Sequence, residues 1–175
     1  MGSVKDLIVL AKPGKEKAGS AQFVFSDRYS VFDWGEMPDH IPAKGAAICI
    51  TSAYFFEKLE ARGIRTHYRG LVEKDVVTRL SDLASPQSRM EITLLRVLKP
   101  DVSENTYDYS LYREERANFL IPLEVIYRNT LPEGSSVFKR LKEGSLSVQD
   151  LGLNKMPCHG QVLEAPLLDV STKLE

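Results

Sequence analysis

Short apolar runs and strict apolar–polar alternation recur along the chain, and this two-residue period predicts β-strands. The predicted strands cover residues 7–10, 22–25, 66–72, 90–98, 120–128 and 162–170, and Pro166 interrupts the last of them. One segment instead repeats its apolar residues every three to four positions, which predicts a helix from Gly45 to Arg62 that ends at Gly63. The side chains predicted to form its buried stripe are Ile48, Ser52, Phe55, Phe56 and Leu59. Strands joined as hairpins, with a long helix packed on them, favour an α+β fold with an antiparallel sheet.

The segment from Phe119 to Gly144 predicts a strand, a tight turn and a short helix. Turn-forming residues lie between Asn129 and Gly134, and Ser135 or Ser136 suits the N-cap position of the helix. Three basic residues fall late in this helix, where its dipole favours cations, and Gly144 is placed to end it.

Arg128 stands where this strand gives way to the turn. An arginine fork, a capping serine and unpaired backbone N–H groups together suit a phosphate or a carboxylate. The alternative is an ordinary strand–loop–helix with a surface arginine, and the spacing alone does not separate the two.

A connection rich in glycine and lysine joins the first two predicted strands. It contains Lys12, Lys15 and Lys17 together with Gly14 and Gly19. Such a loop can lay N–H groups and ammonium ions over nucleotide phosphates. It is not a P-loop, because no Gly-Lys-Ser/Thr ending precedes a helix. A solvated hairpin loop is the alternative reading.

Two long polar segments interrupt the predicted elements. Residues 26–44 combine Asp, Glu, Arg, Ser and His side chains with Trp34, the single tryptophan. A connection of this length often faces a ligand, although the same side chains also satisfy backbone groups within loops. Residues 99–118 are predicted to be an excursion from a sheet, with their charges on a solvated face.

The composition narrows the functional classes. Among 175 residues, 23 are basic and 24 are acidic, so no overall charge directs the chain to nucleic acid or to an anionic membrane. Cys49, Cys158 and the three histidines lack the spacings of a zinc site or a disulfide framework, and Cys49 is predicted to lie in the core. No apolar run approaches membrane-spanning length. We therefore expect a soluble cytoplasmic protein of one domain or two small lobes, without a metal site built from these residues.

Five segments carry a family resemblance, in the order in which they occur. They are the glycine/lysine loop at 12–20, FSDRYSVFDWGEMPDHIPAKG (25–45), FFEKLEARGIRTHYRG (55–70), PLEVIYRN…GSSVFKRL (122–141) and LLDVSTKLE (167–175). The second is similar to the TDRxSAFD…IPGKG signature of the SAICAR synthetase (phosphoribosylaminoimidazole-succinocarboxamide synthase) family, and the fourth to its PxEVVVRN…GSxxKR signature. Ala43 replaces the usual glycine of IPGKG, and residues 100–118 resemble an insertion.

The resemblance implies a SAICAR synthase-like fold with an ATP-grasp or kinase-like N-terminal lobe. It implies a nucleotide-binding lobe at 1–98, the polar insertion at 99–118, and the start of a ribonucleotide-binding lobe at 119–175. Members of the family use ATP to activate the carboxylate of carboxyaminoimidazole ribonucleotide as an acyl phosphate, which the amine of L-aspartate then attacks. That chemistry needs ATP and Mg²⁺ but no nucleophilic side chain, so we expect no covalent catalytic residue.

The resemblance also implies roles for individual residues. It places Lys12, Lys15 and Lys17 over the ATP phosphates, and Arg96 and Leu98 where adenine meets backbone groups. It makes Arg128 and Ser135 the contacts to the ribonucleotide 5′-phosphate. It places Asp33 and Lys44 on the substrate side of the cleft.

Family members continue beyond the STKxE stretch into a region whose acidic residues hold magnesium and much of the nucleotide. The resemblance therefore implies the N-terminal portion of the enzyme, as an isolated part, a split gene or a degenerate copy. Two other readings stay open: a non-catalytic phosphoribonucleotide-binding module, and a subunit that needs a separate C-terminal partner. Apolar surface left exposed where that region packs would favour a homo-oligomer.

Overall fold

The chain divides into two units in a computed structural model that describes residues 4–31, 34–104 and 106–172. The first unit contains the residues before Lys99 together with Tyr112–Leu120. The second contains Lys99–Leu111 and the residues from Ile121 onward. Each is described separately below.

The first unit is built on an antiparallel sheet, as the hairpin-like strand pattern predicted. In chain order the strands of this unit are β1 (Lys5–Ala11), β2 (Gly19–Phe25), β3 (Ser30–Val31), β4 (Gly35–Glu36), β5 (Tyr68–Glu73), β6 (Val76–Thr78) and β7 (Arg89–Leu94). Five of them form one sheet in the order β1-β2-β7-β5-β6, and β3 pairs separately with β4. The glycine/lysine connection joins β1 to β2 at one end of an antiparallel hairpin.

Helix α1 (Lys44–Glu60) packs on this sheet through a stripe of small residues. Gly45, Cys49 and Ala53 are its buried residues, which confirms the core position of Cys49. A Cβ atom on Gly45 would lie 2.6 Å from the carbonyl oxygen of Phe25, so only glycine lets the helix begin this close to β2. The core of the unit combines this stripe with sheet residues: Ala21, Phe25, Tyr68, Leu71, Met90 and Ile92.

The predicted stripe of α1 was correct on one side only. Ile48 and Phe56 pack against the core, but Phe55 and Leu59 are exposed. Gly45, Cys49 and Ala53, spaced four residues apart, form the face of α1 that contacts the sheet. Phe55 and Leu59 lie outside this face. Phe55 instead meets the ring of Tyr54 edge to face, with 5.4 Å between the ring centroids.

Two predicted strands of the first unit have different ends in the structure. The strand expected at 66–72 begins at Tyr68, and the strand expected to reach residue 98 ends at Leu94. Beyond it, Arg96 forms an isolated parallel bridge with Phe119. The chain just beyond β7 is therefore bridged to the segment that precedes residue 120.

The second unit consists of a long antiparallel ribbon, a short helix and a small hairpin. Its elements are β8 (Asp101–Ser103), β9 (Thr106–Asp108), β10 (Leu123–Leu131), α2 (Ser136–Lys142) and β11 (Gln161–Thr172). β10 pairs with β11, and β8 pairs with β9 within the predicted polar excursion. Leu131, Val137, Leu151 and Leu163 form the core of this unit.

The strand–turn–helix prediction for residues 119–144 is confirmed, but both ends of the strand are shifted, since it begins at Leu123 rather than residue 120. β10 continues through Asn129 and ends at Leu131, so the turn formers begin to act only at Pro132. Within this stretch the pairing with β11 shifts register between Arg128 and Thr130. Pro166 lies within β11 where this irregularity interrupts the ladder, which is a position that a strand proline tolerates.

Candidate functional site

Three charged side chains from three elements meet in the second unit. Arg140 on α2 donates from Nη1 to both carboxylate oxygens of Asp169 on β11, at 2.8 Å each. Nη2 of Arg128 on β10 lies 3.5 Å from the same carboxylate and donates to Ser136 Oγ at 3.2 Å. Asp169 pairs with Ile126 across the ribbon, so Arg128, two positions further along β10, projects from the same face.

This cluster carries a net positive charge in a partly buried setting. The side chains of Arg128 and Asp169 are 16% and 9% exposed. The hydrogen bond from Arg140 holds the pKa of the Asp169 carboxyl below its ordinary value, against the effect of burial, and the charges of both arginines act in the same direction. Two guanidinium groups share one carboxylate, so one positive charge is left to attract an anion.

Arg128 keeps hydrogen-bonding capacity in this arrangement. Its Nε is buried and has no partner among the residues that the structure describes. A buried donor without an acceptor is costly, and an oxygen-rich anion would satisfy it.

The two serines at the start of α2 have different roles. Ser135 is the N-cap, is buried, and accepts a hydrogen bond from Val137 N at 3.3 Å. The hydroxyl beside Arg128 is that of Ser136. Because α2 is only seven residues long, the cationic side chains rather than the helix ends define this site.

The lysines of the β1–β2 connection lie in the first unit on an exposed loop. Lys12, Lys15 and Lys17 are all exposed, and Gly14 N donates to Lys17 O at 2.8 Å to close a turn. A Cβ atom on Gly19 would lie 2.2 Å from Ala11 O. The two ends of the loop therefore approach so closely that only glycine fits at position 19. The loop thus exposes its lysine ammonium groups, while its two ends lie close together.

Arg96 and Leu98 are tied to the segment 112–120 of the same unit. The guanidinium of Arg96 donates to both oxygens of Glu115, at 3.0 and 2.5 Å. Its backbone N–H donates to Asn118 O, and its carbonyl accepts from Leu120 N. The carbonyl of Leu98 accepts from the hydroxyl of Tyr112 at 2.5 Å. The backbone groups of Arg96 are therefore engaged within the protein.

The 25–45 signature surrounds the start of α1. Asp27 accepts from Gly45 N at 2.8 Å and from Ala43 N at 3.1 Å, so this carboxylate caps a helix whose own N-cap residue makes no side-chain cap. Lys44 is the first residue of α1 and is half-buried. Asp33 lies outside the described residues.

The sequence did not single out four residues that carry these sites: Ser136, Asp169, Arg140 and Glu115. Ser136 was considered only as a helix cap, and Arg140 only as a cation favoured by the helix dipole. Asp169 and Glu115 reach their arginine partners through strand pairing and chain reversal, which no local spacing reveals.

Neither a metal centre nor a membrane span is found in the described part of the chain. There, no three His, Cys, Asp or Glu side chains are grouped so that they could hold a metal ion. The Mg²⁺ expected from the resemblance thus has no such group among the described residues. No helix in the described ranges is long and apolar enough to cross a membrane.

Sequence comparison links the whole chain to one family. A model of the SAICAR synthetase family matches residues 2–175. The chain is 53% identical to an Archaeoglobus fulgidus protein named "Putative phosphoribosylaminoimidazole-succinocarboxamide synthase", over 100% of this chain and 51% of that protein. It is 32% identical to the phosphoribosylaminoimidazole-succinocarboxamide synthase of Thermoplasma acidophilum, over 99% of this chain and 48% of that protein. The chain thus spans about half the length of the curated relatives it matches.

Solved structures show the same fold. A type-2 SAICAR synthetase in complex with ADP matches with a TM-score of 0.54 and 21% identity, over 99% of this chain and 49% of that chain. The phosphoribosylaminoimidazole-succinocarboxamide synthase of Ehrlichia chaffeensis matches with a TM-score of 0.53 and 16% identity, over 99% and 48%. The expected SAICAR synthase-like α+β fold is confirmed.

Proposed function

The chain belongs to the SAICAR synthetase family, and we propose that it supplies the N-terminal part of an ATP-dependent, amide-forming ligase of purine biosynthesis. The proposed substrates are ATP, L-aspartate and carboxyaminoimidazole ribonucleotide. The observation that carries the proposal is the Arg128–Asp169–Arg140 cluster, which lies within the family-like segments 122–141 and 167–175.

The proposed reaction proceeds in two steps. A carboxylate oxygen of the ribonucleotide attacks the γ-phosphorus of ATP, and ADP leaves as the acyl phosphate forms. The aspartate amine then attacks the acyl carbon, phosphate leaves, and the amine nitrogen loses a proton. Neither step requires a nucleophilic side chain, so this chain contributes by binding and orienting charged ligands.

Arg128 is proposed to hold the 5′-phosphate of the ribonucleotide. Its guanidinium is partly buried, is shared with Asp169 through one long contact, and carries an unsatisfied Nε. Ser136 lies beside it as a hydroxyl donor, while Ser135 is proposed to act through its capping of α2. Asp169 and Arg140 fix the geometry of the site, because Nη1 of Arg140 donates to both oxygens of the Asp169 carboxylate.

The first unit is proposed to bind the nucleotide and to line the substrate side. Lys12, Lys15 and Lys17 supply exposed positive charge on the β1–β2 loop for the ATP phosphates. Arg96 and Leu98, just beyond β7, form the adenine side. Lys44 at the start of α1, and Asp33, are proposed to face the carboxylated ribonucleotide.

Turnover by the complete protein that contains this chain tests the function. We expect it to form the succinocarboxamide and ADP only when ATP, L-aspartate and the carboxyribonucleotide are all present, measured by product chromatography. Ribonucleotide binding without turnover would instead indicate a binding module. Turnover that appears only when a separate C-terminal polypeptide is added would indicate a split enzyme.

Substitution of Arg128 by alanine tests the phosphate site. The variant should lose about 1.5–3 kcal/mol of ribonucleotide binding, because a charge-assisted contact is removed, while ATP binding should change little. Calorimetric titration with each ligand measures both values. Lys139→Ala is the matched control, since this exposed cation on α2 pairs only loosely with Glu143 at 3.8 Å. Equal weakening of both ligands would place Arg128 in the wrong subsite.

A further inference from the structure

We propose that Glu115 is a positioning residue that holds the β1–β2 loop in place for nucleotide binding. The inference rests on the proposed function, in which this loop covers the ATP phosphates. It concerns a residue of the polar segment at 100–118, which looks like an insertion relative to the family signatures. Glu115 itself is not proposed to touch the nucleotide.

Glu115 is anchored first to Arg96, which lies just beyond the end of β7. Its two oxygens accept from Nη1 and Nη2 of Arg96, and both side chains are only 14% exposed. Nη2 of Arg96 also donates to Ala117 O at 3.1 Å. A bidentate pair of this kind fixes the direction of the carboxylate as well as its distance.

The backbone reinforces this anchor. Arg96 N donates to Asn118 O at 3.0 Å, and Leu120 N donates to Arg96 O at 2.8 Å. The hydroxyl of Tyr112 reaches Leu98 O at the other end of the segment. Residues 112–120 are thus secured to the chain that leaves β7 at several points.

From this anchor the segment reaches the glycine/lysine loop through two contacts at one residue. Asn118 Nδ2 donates to the backbone carbonyl of Lys15 at 2.9 Å. Glu115 Oε1 lies 3.8 Å from Lys15 Nζ, and the lysine side chain is 77% exposed. One contact holds the loop backbone, and the other draws the ammonium group toward the sheet.

The unequal strength of the two ion pairs defines the role of Glu115. Both Nη groups of Arg96 are engaged by the carboxylate, so they are poorly placed to serve a phosphate. The ammonium of Lys15 is exposed and has three donors, so it can contact a phosphate while Glu115 and Asn118 keep the lysine and its backbone in place. The hydrogen bond from Arg96 holds the pKa of Glu115 below its ordinary value, in keeping with a carboxylate that accepts from a cation.

The test compares ADP binding by the complete protein and its Glu115→Gln variant in calorimetric titrations. The variant keeps the side-chain shape but loses the charge that holds Lys15, and we expect the Kd for ADP to rise about fivefold, the effect of one modest charge contact. Glu114→Gln is the matched control, because this neighbouring carboxylate is exposed. It should bind ADP as the wild type does.

Two further readouts separate positioning from general destabilisation. Amide hydrogen exchange in residues 12–18 should accelerate in Glu115→Gln and not in Glu114→Gln. In steady-state kinetics the KM for ATP should rise while kcat and the KM for the ribonucleotide stay unchanged. A merely structural defect would weaken both ligands together.

A second variant protects the test against misfolding of Glu115→Gln. Asn118 has a positive φ of 58°, so Asn118→Gly removes the contact to Lys15 O without backbone strain. We expect the same weaker ADP binding and faster loop exchange.

Three results would overturn the inference in distinguishable ways. Unchanged ADP affinity in both variants would show that the segment does not position the loop. Tighter ADP binding in Glu115→Gln would show that the carboxylate competes with the phosphates. Failure of the wild type to bind ADP would overturn the nucleotide role of the loop itself, and with it the proposed function of the first unit.

Discussion

Ala43 occupies a backbone conformation that normally belongs to glycine. Its φ of 62° and ψ of 5° place it in the left-handed region immediately before α1. This position is the third residue of IPAKG, where the family signature has glycine. The helix still begins here because Asp27 accepts hydrogen bonds from Ala43 N and Gly45 N. A side-chain cap from a distant residue therefore offsets local strain.

Replacing Ala43 by glycine should stabilise the protein. An L-residue in the left-handed region costs roughly 1–2 kcal/mol, whereas glycine adopts it freely but loses more conformational entropy on folding. We expect a net gain of about 0.5–1 kcal/mol in the free energy of unfolding, measured by urea denaturation.

The same chemical change inside the helix should have the opposite sign. Ala47 is exposed, helical and only four residues further on. Ala47→Gly should cost about 1 kcal/mol, because glycine is a poor helix former. A stabilising Ala47→Gly, or a destabilising Ala43→Gly, would contradict this account of the helix start.

At the scale of elements, the sequence predicted best what depends on near neighbours. The cap at Ser135, the end of α2 near Gly144 and the β1–β2 hairpin all follow from a few adjacent residues, and the structure has them. The β8–β9 hairpin was missed because its residues are exposed and polar, so no apolar alternation marks it. The exposed positions of Phe55 and Leu59 depend on how the small residues of α1 meet the sheet, which helical periodicity does not specify.

The candidate site shows the same limit. Arg128 stood out because a strand, a turn and serines lie beside it in the sequence. Asp169 did not, because its approach to Arg128 depends on the register of β10 against β11. Register is a property of the paired strands, so no single strand reveals it.

Asp169 links β10, β11 and α2, and its loss should destabilise the second unit. Asp169→Asn leaves Arg128 and Arg140 close together without their shared carboxylate. Removing one partner of a largely buried ion pair should cost about 2–4 kcal/mol of unfolding free energy, measured by urea denaturation. Glu164→Gln, an exposed change on the same strand, is the control and should have little effect.

Acidic pH should remove the contribution of the Asp169 ion pair to the unfolding free energy of the wild type. Because the folded-state pKa of Asp169 is depressed, its stabilising effect is complete above the unfolded-state pKa and is lost as the pH falls through the lower folded value. The stability difference between wild type and Asp169→Asn should therefore shrink toward acidic pH. A difference that stayed constant with pH would contradict the ion-pair account.

For the molecule as a whole, the most consequential surface is one face of the β10–β11 ribbon. Leu123, Val125 and Tyr127 are exposed there, although their alternation is typical of a buried strand face. Val125 pairs directly with Val170 and Tyr127 with Leu168, and both of these partners are exposed too. Contiguous exposed apolar side chains of this kind favour association.

This face should make the 175-residue chain self-associate when it is studied by itself. Val125→Thr combined with Val170→Thr should shift the chain toward the monomer, because the pair lies side by side on the exposed face. Sedimentation velocity over a concentration series measures the shift. Val76→Thr with Val77→Thr, on exposed residues of β6, is the matched control. Equal effects of the two double variants would argue against this face.

The Arg96–Glu115 pair has an evolutionary consequence. Arg96 is almost enclosed, and its carboxylate partner comes from the polar segment at 100–118. A family member without that segment would have to satisfy the guanidinium in another way, at a cost typical of a buried, unpaired donor. Relatives that have this segment should therefore also have the arginine, and relatives that lack the segment should have another residue at this position.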